Sequence, residues 1–305
     1  MRNILIKIAQ TIICIFAQNC AMRLLLMVSL LFSTVGFSQE SPASTKVSKK
    51  GSFYFYWGWN KSSYTKSDIS FKGTDYDFTL YDVVADDRQS PFSANIYLNP
   101  ANITIPQYNM RFGYFFNDKY NISFGVDHMK YVMRSNQDPN LTQWATISGH
   151  IENSGTAYDG DYDNTPFQIK PDFLLFEHTD GLNYLNFELR RQDLLYNYKK
   201  FNLNSVVGAG AGALMPKTNA TLLNNERNDA FHFAGFGTGL MVGLNFEFYN
   251  RFYIQTETKI GYINMPDIRT TKFDTDKAKQ HFSYLQGNVV FGINLNTKTG
   301  KKFRQ

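Results

Sequence analysis

Apolar and polar residues alternate along many stretches of this sequence, which is the pattern of β-strands with one apolar face. One example ends at Phe116, where Tyr108, Met110, Phe112 and Tyr114 alternate with Asn109, Arg111 and Gly113. Runs of this kind lie at 52–60, 105–116, 120–133, 183–195, 201–213, 233–249, 251–265 and 281–295. The pattern predicts an all-β fold of antiparallel strands.

The connections between these runs alternate in length. Short turns at 117–119, 196–200 and 250–251 alternate with long polar segments at about 61–104, 134–182, 214–232 and 266–280. Bacterial membrane barrels have short turns at one rim and long loops at the other. The sequence therefore predicts an eight-stranded transmembrane β-barrel over residues 52–295, with both ends of the barrel on the short-turn, periplasmic side.

Two further segments have strand-like patterns inside the long connections. Asp68 to Asp82 alternates through Ile69, Phe71, Tyr76, Phe78 and Leu80, and Asp172 to Phe176 is a shorter apolar stretch. They fit extensions of the wall strands above the membrane, a hairpin within the first long connection, or an extra pair of strands that makes ten. Extensions are the favoured interpretation.

The polar faces of the runs carry several charged residues. They are Arg111, Glu188, Arg190, Glu247, Glu257 and Lys259. A secreted soluble β-barrel or sandwich has an apolar core in which these charges would be costly to bury, whereas in the lumen of a membrane barrel they can pair. An eight-stranded barrel is filled by its own side chains, so the charges are predicted to form a salt-bridged plug.

The first 38 residues contain long apolar runs, three basic residues and no acidic residue, as a secretory signal does. Met22-Arg23 starts a complete signal by itself, so Met22 is a candidate initiator, and cleavage is expected before Gln39. Residues 39–51 then form a periplasmic N-terminal segment, and 296–305 a basic tail.

Removal of residues 1–38 changes what the mature chain can do. It lowers the basic count from 31 to 28 against 26 acidic residues, which leaves a net charge of +2 and no compositional support for nucleic-acid binding. Both cysteines, Cys14 and Cys20, leave with the segment, so no thiol chemistry is expected and no cofactor is predicted.

In its predicted architecture, over about residues 52–295, the chain resembles the small outer-membrane barrels of the OmpA, OmpX and OmpW type. The Phe37-Ser38-Gln39 junction is similar to exported proteins of Bacteroidota. The resemblance implies a location in the outer membrane of a Gram-negative cell, with outer-membrane lipids, lipopolysaccharide and the barrel assembly machinery as partners. In one respect the chain departs from the pattern, because a polar tail follows Leu295 where such barrels end on an aromatic residue.

One motif is similar to the sites of the outer-membrane phospholipase and the lipid A deacylase, which use a His-x-Ser pair near a strand end. Here His178-Thr179-Asp180 precedes the fourth run, with Asp180 in the place of the serine. The alternatives are a lipid hydrolase centred on His178, with Asp180 and Thr179, and a structural histidine at the rim.

A second candidate site is the sequence Asp159-Gly160-Asp161-Tyr162-Asp163, whose alternate carboxylates suit a hard cation such as calcium. It lacks the distal glutamate of a full calcium loop, so a solvated loop is the competing interpretation.

The function that the sequence favours is a non-catalytic outer-membrane barrel of structural, interaction or narrow-conduit type. The hydrolase and a secreted soluble binding protein are the alternatives.

Overall fold

The structure is a computed structural model that describes residues 48–97, 99–102, 105–134, 143–223 and 225–295. The signal segment 1–38 and the tail 296–305 lie outside the described residues, and of the segment 39–51 only residues 48–51 are described.

Eight antiparallel strands form a closed ring, as the sequence predicts. They are β1 (Phe53–Tyr64), β5 (Tyr108–Phe115), β6 (Tyr120–Met133), β9 (Leu174–Tyr198), β10 (Phe201–Leu214), β13 (Gly235–Phe248), β14 (Phe252–Arg269) and β15 (Lys277–Leu295). Each pairs with the next in this order, and the pairing of β1 with β15 closes the ring. The prediction of eight strands is confirmed, and the ten-strand interpretation is wrong for this ring.

The remaining elements lie in the long connections. They are β2 (Ser67–Lys72), β3 (Tyr76–Val83), β4 (Ala85–Asp86), β7 (Gln143–Ile151), β8 (Gly160–Ile169), β11 (Lys217–Leu222), β12 (Asn228–Phe231), the short helix α1 (Ala94–Tyr97) and a 3₁₀ turn (Pro100–Asn102). Within the described residues, no helix is long and apolar enough to cross a membrane.

The strand register climbs around the ring. A row of paired residues that starts at Phe53 passes through Tyr114, Ile122, Leu189, Ala209, Leu240, Ile260 and Leu285 and returns to β1 at Ser63. The displacement from Phe53 to Ser63 is ten residues for one circuit. Such a stagger accompanies strands tilted by about 35–45° to the barrel axis.

Tight turns join strands at one end of the barrel. Tyr249 and Asn250, between β13 and β14, have φ of 57° and 55°, the left-handed pair of a two-residue hairpin turn. Residues 116–119 and 199–200 make the other two short turns, and Phe53 and Leu295 pair at this same end.

The outward side chains of the wall form an apolar belt. It includes Phe112, Phe187, Leu189, Leu240, Ile260, Val289 and Phe291, each more than 40% exposed. A soluble protein rarely exposes so large a continuous apolar surface, whereas a transmembrane barrel turns such a band, about 25 Å tall, toward lipid.

Above the belt, at the long-loop end, strands continue past the ring and enclose a second, apolar core, here called the upper layer. There β2 continues β1 along β15, β3 pairs with β7, and β11 continues β10 along β9. Phe71 on β2 contacts Phe78 on β3 and Phe176 on β9, with ring centroids 5.2 and 5.7 Å apart. Residues 174–176 thus extend the wall strand β9, as the extension interpretation predicts, whereas 68–82 form the β2–β3 hairpin of the first long connection, with β2 in line with β1.

Candidate functional site

Six charged side chains meet inside the barrel, at inward positions of strands whose outward neighbours form the belt. They are Arg111, Arg190, Lys259, Asp127, Glu188 and Glu257, each at most 6% exposed. Three are basic and three acidic, so the set is electrically balanced. We call it the lumenal network.

Glu188 on β9 is the acceptor that three cations share. Arg111 on β5 and Lys259 on β14 reach its Oε1 at 3.0 and 2.9 Å, and Arg190 Nε donates to its Oε2 at 2.6 Å. Because side chains from β5 and β14 meet this carboxylate of β9, the network ties three strands of the wall together across the lumen.

Further contacts extend the network to the other carboxylates. Lys259 Nζ lies 2.9 Å from Asp127 Oδ2 on β6, and Arg190 Nη1 lies 2.8 Å from Glu257 Oε1 on β14. The Tyr56 hydroxyl accepts hydrogen bonds from Arg190 Nη2 at 2.8 Å and Arg111 Nε at 3.1 Å. Buried charges need such complete pairing, because each would otherwise carry a desolvation cost of several kcal/mol.

Glycines on β10 make room for the network. A Cβ added to Gly210 would lie 2.5 Å from Glu188 Cγ, and one added to Gly208 would lie 3.0 Å from Arg190 Cγ. The glycine-alanine alternation of this strand therefore accommodates the long side chains of its neighbour β9.

Glu247, predicted as part of the same plug, lies apart from the network, nearer the short-turn end. Its Oε2 is 2.6 Å from Lys49 Nζ, and Asn202 and Asn294 donate to its two oxygens. The N-terminal segment is held beside it, since Lys49 N and Lys50 N both donate to Asp118 Oδ1. Lys49 thus reaches into the lumen from the short-turn side.

The structure does not assemble His178, Thr179 and Asp180 into a catalytic group. His178 is fully buried in the upper layer, where its Nδ1 lies 3.0 Å from Thr218 Oγ1. Thr179 donates to Glu177 Oε1 at 2.9 Å, and Asp180 accepts from Lys217 Nζ at 2.9 Å. The imidazole therefore has no access to lipid and is not oriented by Asp180.

Burial dominates the chemistry of His178. Desolvation lowers its pKa to about 3, and a nearby amide, that of Gln280, acts in the opposite direction. The ring packs against Phe176 at 5.1 Å and Tyr131 at 5.6 Å between centroids. A neutral imidazole held this way is a packing element of the upper layer.

The three alternate aspartates do not converge on a common point. Asp159 accepts hydrogen bonds from Ser154, Asp161 pairs with His150 at 2.6 Å, and Asp163 accepts from Asn164. Within the described residues, no group of three or more His, Cys, Asp or Glu side chains is arranged to hold a metal ion.

The sequence analysis missed one member of the lumenal network, Asp127, and the tyrosine that hydrogen-bonds to its arginines, Tyr56. Asp127 follows Ser123 and Gly125 at alternate positions of β6, so the alternation indicates that its side chain points into the lumen. Tyr56 alternates in the same way with the outward Phe55 and Trp57 on β1.

Comparison with known proteins gives matches among solved structures alone: no protein-family model and no curated protein matches the sequence. The outer-membrane protein OprG of Pseudomonas aeruginosa is similar at 10% identity and a TM-score of 0.38, over 82% of this chain and 98% of that one. AlkL, an outer-membrane protein whose structure was determined in lipid bilayers, is similar at 9% identity and a TM-score of 0.37. This match covers 87% of this chain and 100% of that one. Ail, the attachment invasion locus protein of Yersinia pestis, is similar at 11% identity and a TM-score of 0.27. This match covers 79% of this chain and 99% of that one.

At these identities and scores, the fold of the present chain rests on its own strand pairing. A closed ring without free edges and an apolar belt around it are the two requirements for a barrel in lipid. Both are met here, so the protein is built as a membrane-spanning β-barrel.

Proposed function

We propose that the protein is a closed, non-catalytic outer-membrane barrel that acts as a structural or interaction protein through its upper layer. In this proposal residues 1–38 are removed on export from a Gram-negative cell of the Bacteroidota kind. The assembly machinery inserts the mature chain among outer-membrane lipids and lipopolysaccharide.

The filled lumen is the observation that carries the proposal. The lumenal network occupies the barrel where the belt surrounds it, and apolar side chains such as Phe71, Phe78 and Phe176 fill the upper layer. Next to Arg190 and Asn245 lies a cavity of about 10 Å³, room for one water molecule at most. These features favour a barrel that does not conduct over the narrow-conduit alternative.

Planar-bilayer recordings test this closure. Purified protein inserted into the bilayer is expected to give no stepwise ion current, with an open porin as the positive control in the same membranes. Stable conductance steps from the wild-type protein would contradict the proposal and favour a conduit.

The absence of catalysis is tested separately. We expect no release of fatty acid from outer-membrane lipids by the wild-type protein or by His178→Ala, since His178 is buried. Release that disappears in His178→Ala would restore the hydrolase alternative.

A further inference from the structure

Residues 89–106 of the first long connection, here called the flank segment, contain no charged side chain. The short helix α1 and the 3₁₀ turn lie within it. Two of its apolar side chains, Phe92 and Ile105, are 82% and 47% exposed. Exposed apolar side chains on an uncharged segment mark a surface that another apolar phase covers.

Ring contacts join the flank segment to the apolar belt. Trp59, on the outward face of β1, pairs in register with the belt residue Val289. Its ring centroid lies 5.9 Å from that of Phe291, also in the belt, and 5.8 Å from that of Tyr97 on α1. The Phe92 ring lies a further 5.4 Å from Tyr97. The flank segment therefore lies against the outer wall, and Phe92 extends the belt away from the barrel.

Charged side chains lie at both ends of the flank segment. Arg88, which precedes it, pairs with Glu177 at 3.0 Å. At the other end, Lys130 on β6 donates from Nζ to the Ile105 carbonyl at 3.2 Å. Long basic side chains beside apolar surface are typical of the boundary between hydrocarbon and headgroups, because the stem stays apolar while the charge reaches water. The contacts place the segment at the upper edge of the belt.

Polar groups of the flank segment find partners inside the segment. Asn95 Oδ1 accepts from Asn99 Nδ2 at 2.9 Å, and the Asn95 carbonyl accepts from Asn102 Nδ2 at 3.0 Å. The Tyr97 hydroxyl donates to the Ser90 carbonyl at 2.7 Å. Backbone outside regular strands can lie beside hydrocarbon only where its polar groups are paired. These bonds lower the cost of placing the segment in lipid.

We propose that the flank segment lies in the outer leaflet, where acyl chains meet headgroups, with Phe92 and Ile105 among the acyl chains. Lipid is the partner because the segment continues, through Trp59, a belt that itself faces lipid. The proposal rests on the membrane location in the proposed function and goes beyond it. It makes part of the first long connection a lipid contact rather than a loop in water.

Spin labels on single cysteines measure the depth of the flank segment. Both cysteines of the chain lie within residues 1–38, outside the mature protein of the proposed function. Phe92→Cys is labelled in mature protein reconstituted into phosphatidylcholine vesicles, and its collisions with oxygen and with a water-soluble nickel complex are compared. Ile260→Cys labels the belt, and Lys170→Cys labels an exposed site between β8 and β9.

The Phe92 label is expected to behave as the Ile260 label does. Its collisions with the nickel complex should be about tenfold rarer than those of the Lys170 label, because hydrocarbon excludes a polar complex. Equal collision rates at Phe92 and Lys170 would overturn the proposal. Spin–spin broadening between Phe92 labels at a low protein-to-lipid ratio would mean that a second copy covers the segment, and would overturn it too.

Phe92→Asp tests the apolar contact through a label on the neighbouring exposed residue, Ala94→Cys. The substitution is expected to move this label toward water, because a carboxylate is costly among acyl chains. Phe273→Asp makes the same change at an exposed phenylalanine of the last long connection and should leave the Ala94 label in place. An Ala94 label that does not respond to Phe92→Asp would overturn the proposal.

The Ile260 label separates this inference from the proposed function. An Ile260 label in lipid with a Phe92 label in water would refute the inference and leave the barrel intact. An Ile260 label in water would overturn the proposed function, and this inference with it. Each labelled variant is first compared unheated and heated on gels, since a folded barrel migrates faster before heating.

Discussion

Arg190 links two carboxylates of the lumenal network to the wall strand β1. It contacts Glu188, Glu257 and the Tyr56 hydroxyl while only 2% exposed. We expect Arg190→Ala to lower the free energy of unfolding by about 3–5 kcal/mol, because it leaves buried carboxylates without their partner. Urea unfolding in lipid vesicles measures the loss.

The neighbouring arginine is the matched control for this prediction. Arg191 points outward and pairs with Asp193 on the same strand, with both side chains partly exposed. Arg191→Ala should change the free energy of unfolding by less than about 1 kcal/mol. Equal losses in the two variants would mean that the network does not stabilise the barrel.

His178 gives the stability a pH dependence with a defined sign. Its pKa falls to about 3 in the folded protein, while an unfolded histidine titrates near pH 6.5. Between these values the unfolded chain binds a proton that the folded chain excludes. Stability is then complete above about pH 6.5 and is lost as the pH falls, by up to about 1.4 kcal/mol per pH unit.

Unfolding of the wild type and of His178→Asn between pH 7 and pH 4 checks this. The wild type should lose more stability on acidification than the variant. His150 serves as a control of opposite sign, because its hydrogen bonds to the Asp161 and Glu152 carboxylates raise its pKa. Its contribution is present below about pH 6.5 and is lost as the pH rises. Parallel pH profiles for the wild type and His178→Asn would contradict the burial effect.

The direction of a lumenal side chain can be predicted from the sequence, but its partner cannot. Alternation along β6 indicates that Asp127 points inward. Lys259, its partner, lies 132 residues away in the chain and on a different part of the ring. Which charges meet depends on the ten-residue displacement of the strand register around the ring. That displacement is a property of the closed wall and cannot be read from any single strand.

At the level of the elements, Phe71 connects the β2–β3 hairpin to the wall strand β9. Its ring is fully buried against Phe78 and Phe176. We expect Phe71→Ala to destabilise the upper layer by about 3–5 kcal/mol through the cavity it leaves. Limited proteolysis should then cut the long connections faster while the ring stays folded.

Phe53→Ala is the control for this element. Phe53 is outward and 48% exposed at the opposite end of β1, so its removal opens no cavity in the upper layer. Protease resistance of the long connections should remain that of the wild type. If Phe71→Ala also kept full resistance, the hairpin would not depend on this contact.

The wall strands were predictable because lipid on one side and a polar lumen on the other impose strict alternation. The fourth strand was predicted to begin at 183, whereas β9 begins at Leu174. Asp180 and Gly181 interrupt the alternation there, at an irregularity in the pairing with β6. The hairpin of β7 and β8 lay in a segment read as a polar loop, because its outward residues include Asp161 and Asp163.

For the whole molecule, two tryptophans test the position of the belt. Trp57 and Trp59 are both outward on β1, in edge contact at 5.0 Å. In a background with Trp144→Phe, their fluorescence should be quenched by lipids brominated on the acyl chains and little affected by acrylamide in the water. Vesicles of unbrominated lipid are the control. Quenching by acrylamide alone would place these residues in water and contradict the membrane position.

The barrel and the upper layer have interiors of different chemistry. Paired charges fill the part surrounded by lipid, and aromatic and aliphatic side chains fill the part above it. The sequence predicted the first interior from its inward charges. It could not predict the second, because packing of Phe71 against Phe176 depends on a connection folding back over the ring.

The pairing of β1 with β15 has a consequence for how this protein is made. The two strands that close the ring are the first and the last of the wall, separated by more than 200 residues. During synthesis the chain therefore always has an unsatisfied strand edge until its final segment emerges, and such edges invite pairing with other chains. A truncated product cannot be a smaller barrel. Closure of the wall therefore requires the complete run of strands from β1 to β15, and every shorter intermediate keeps an open strand edge.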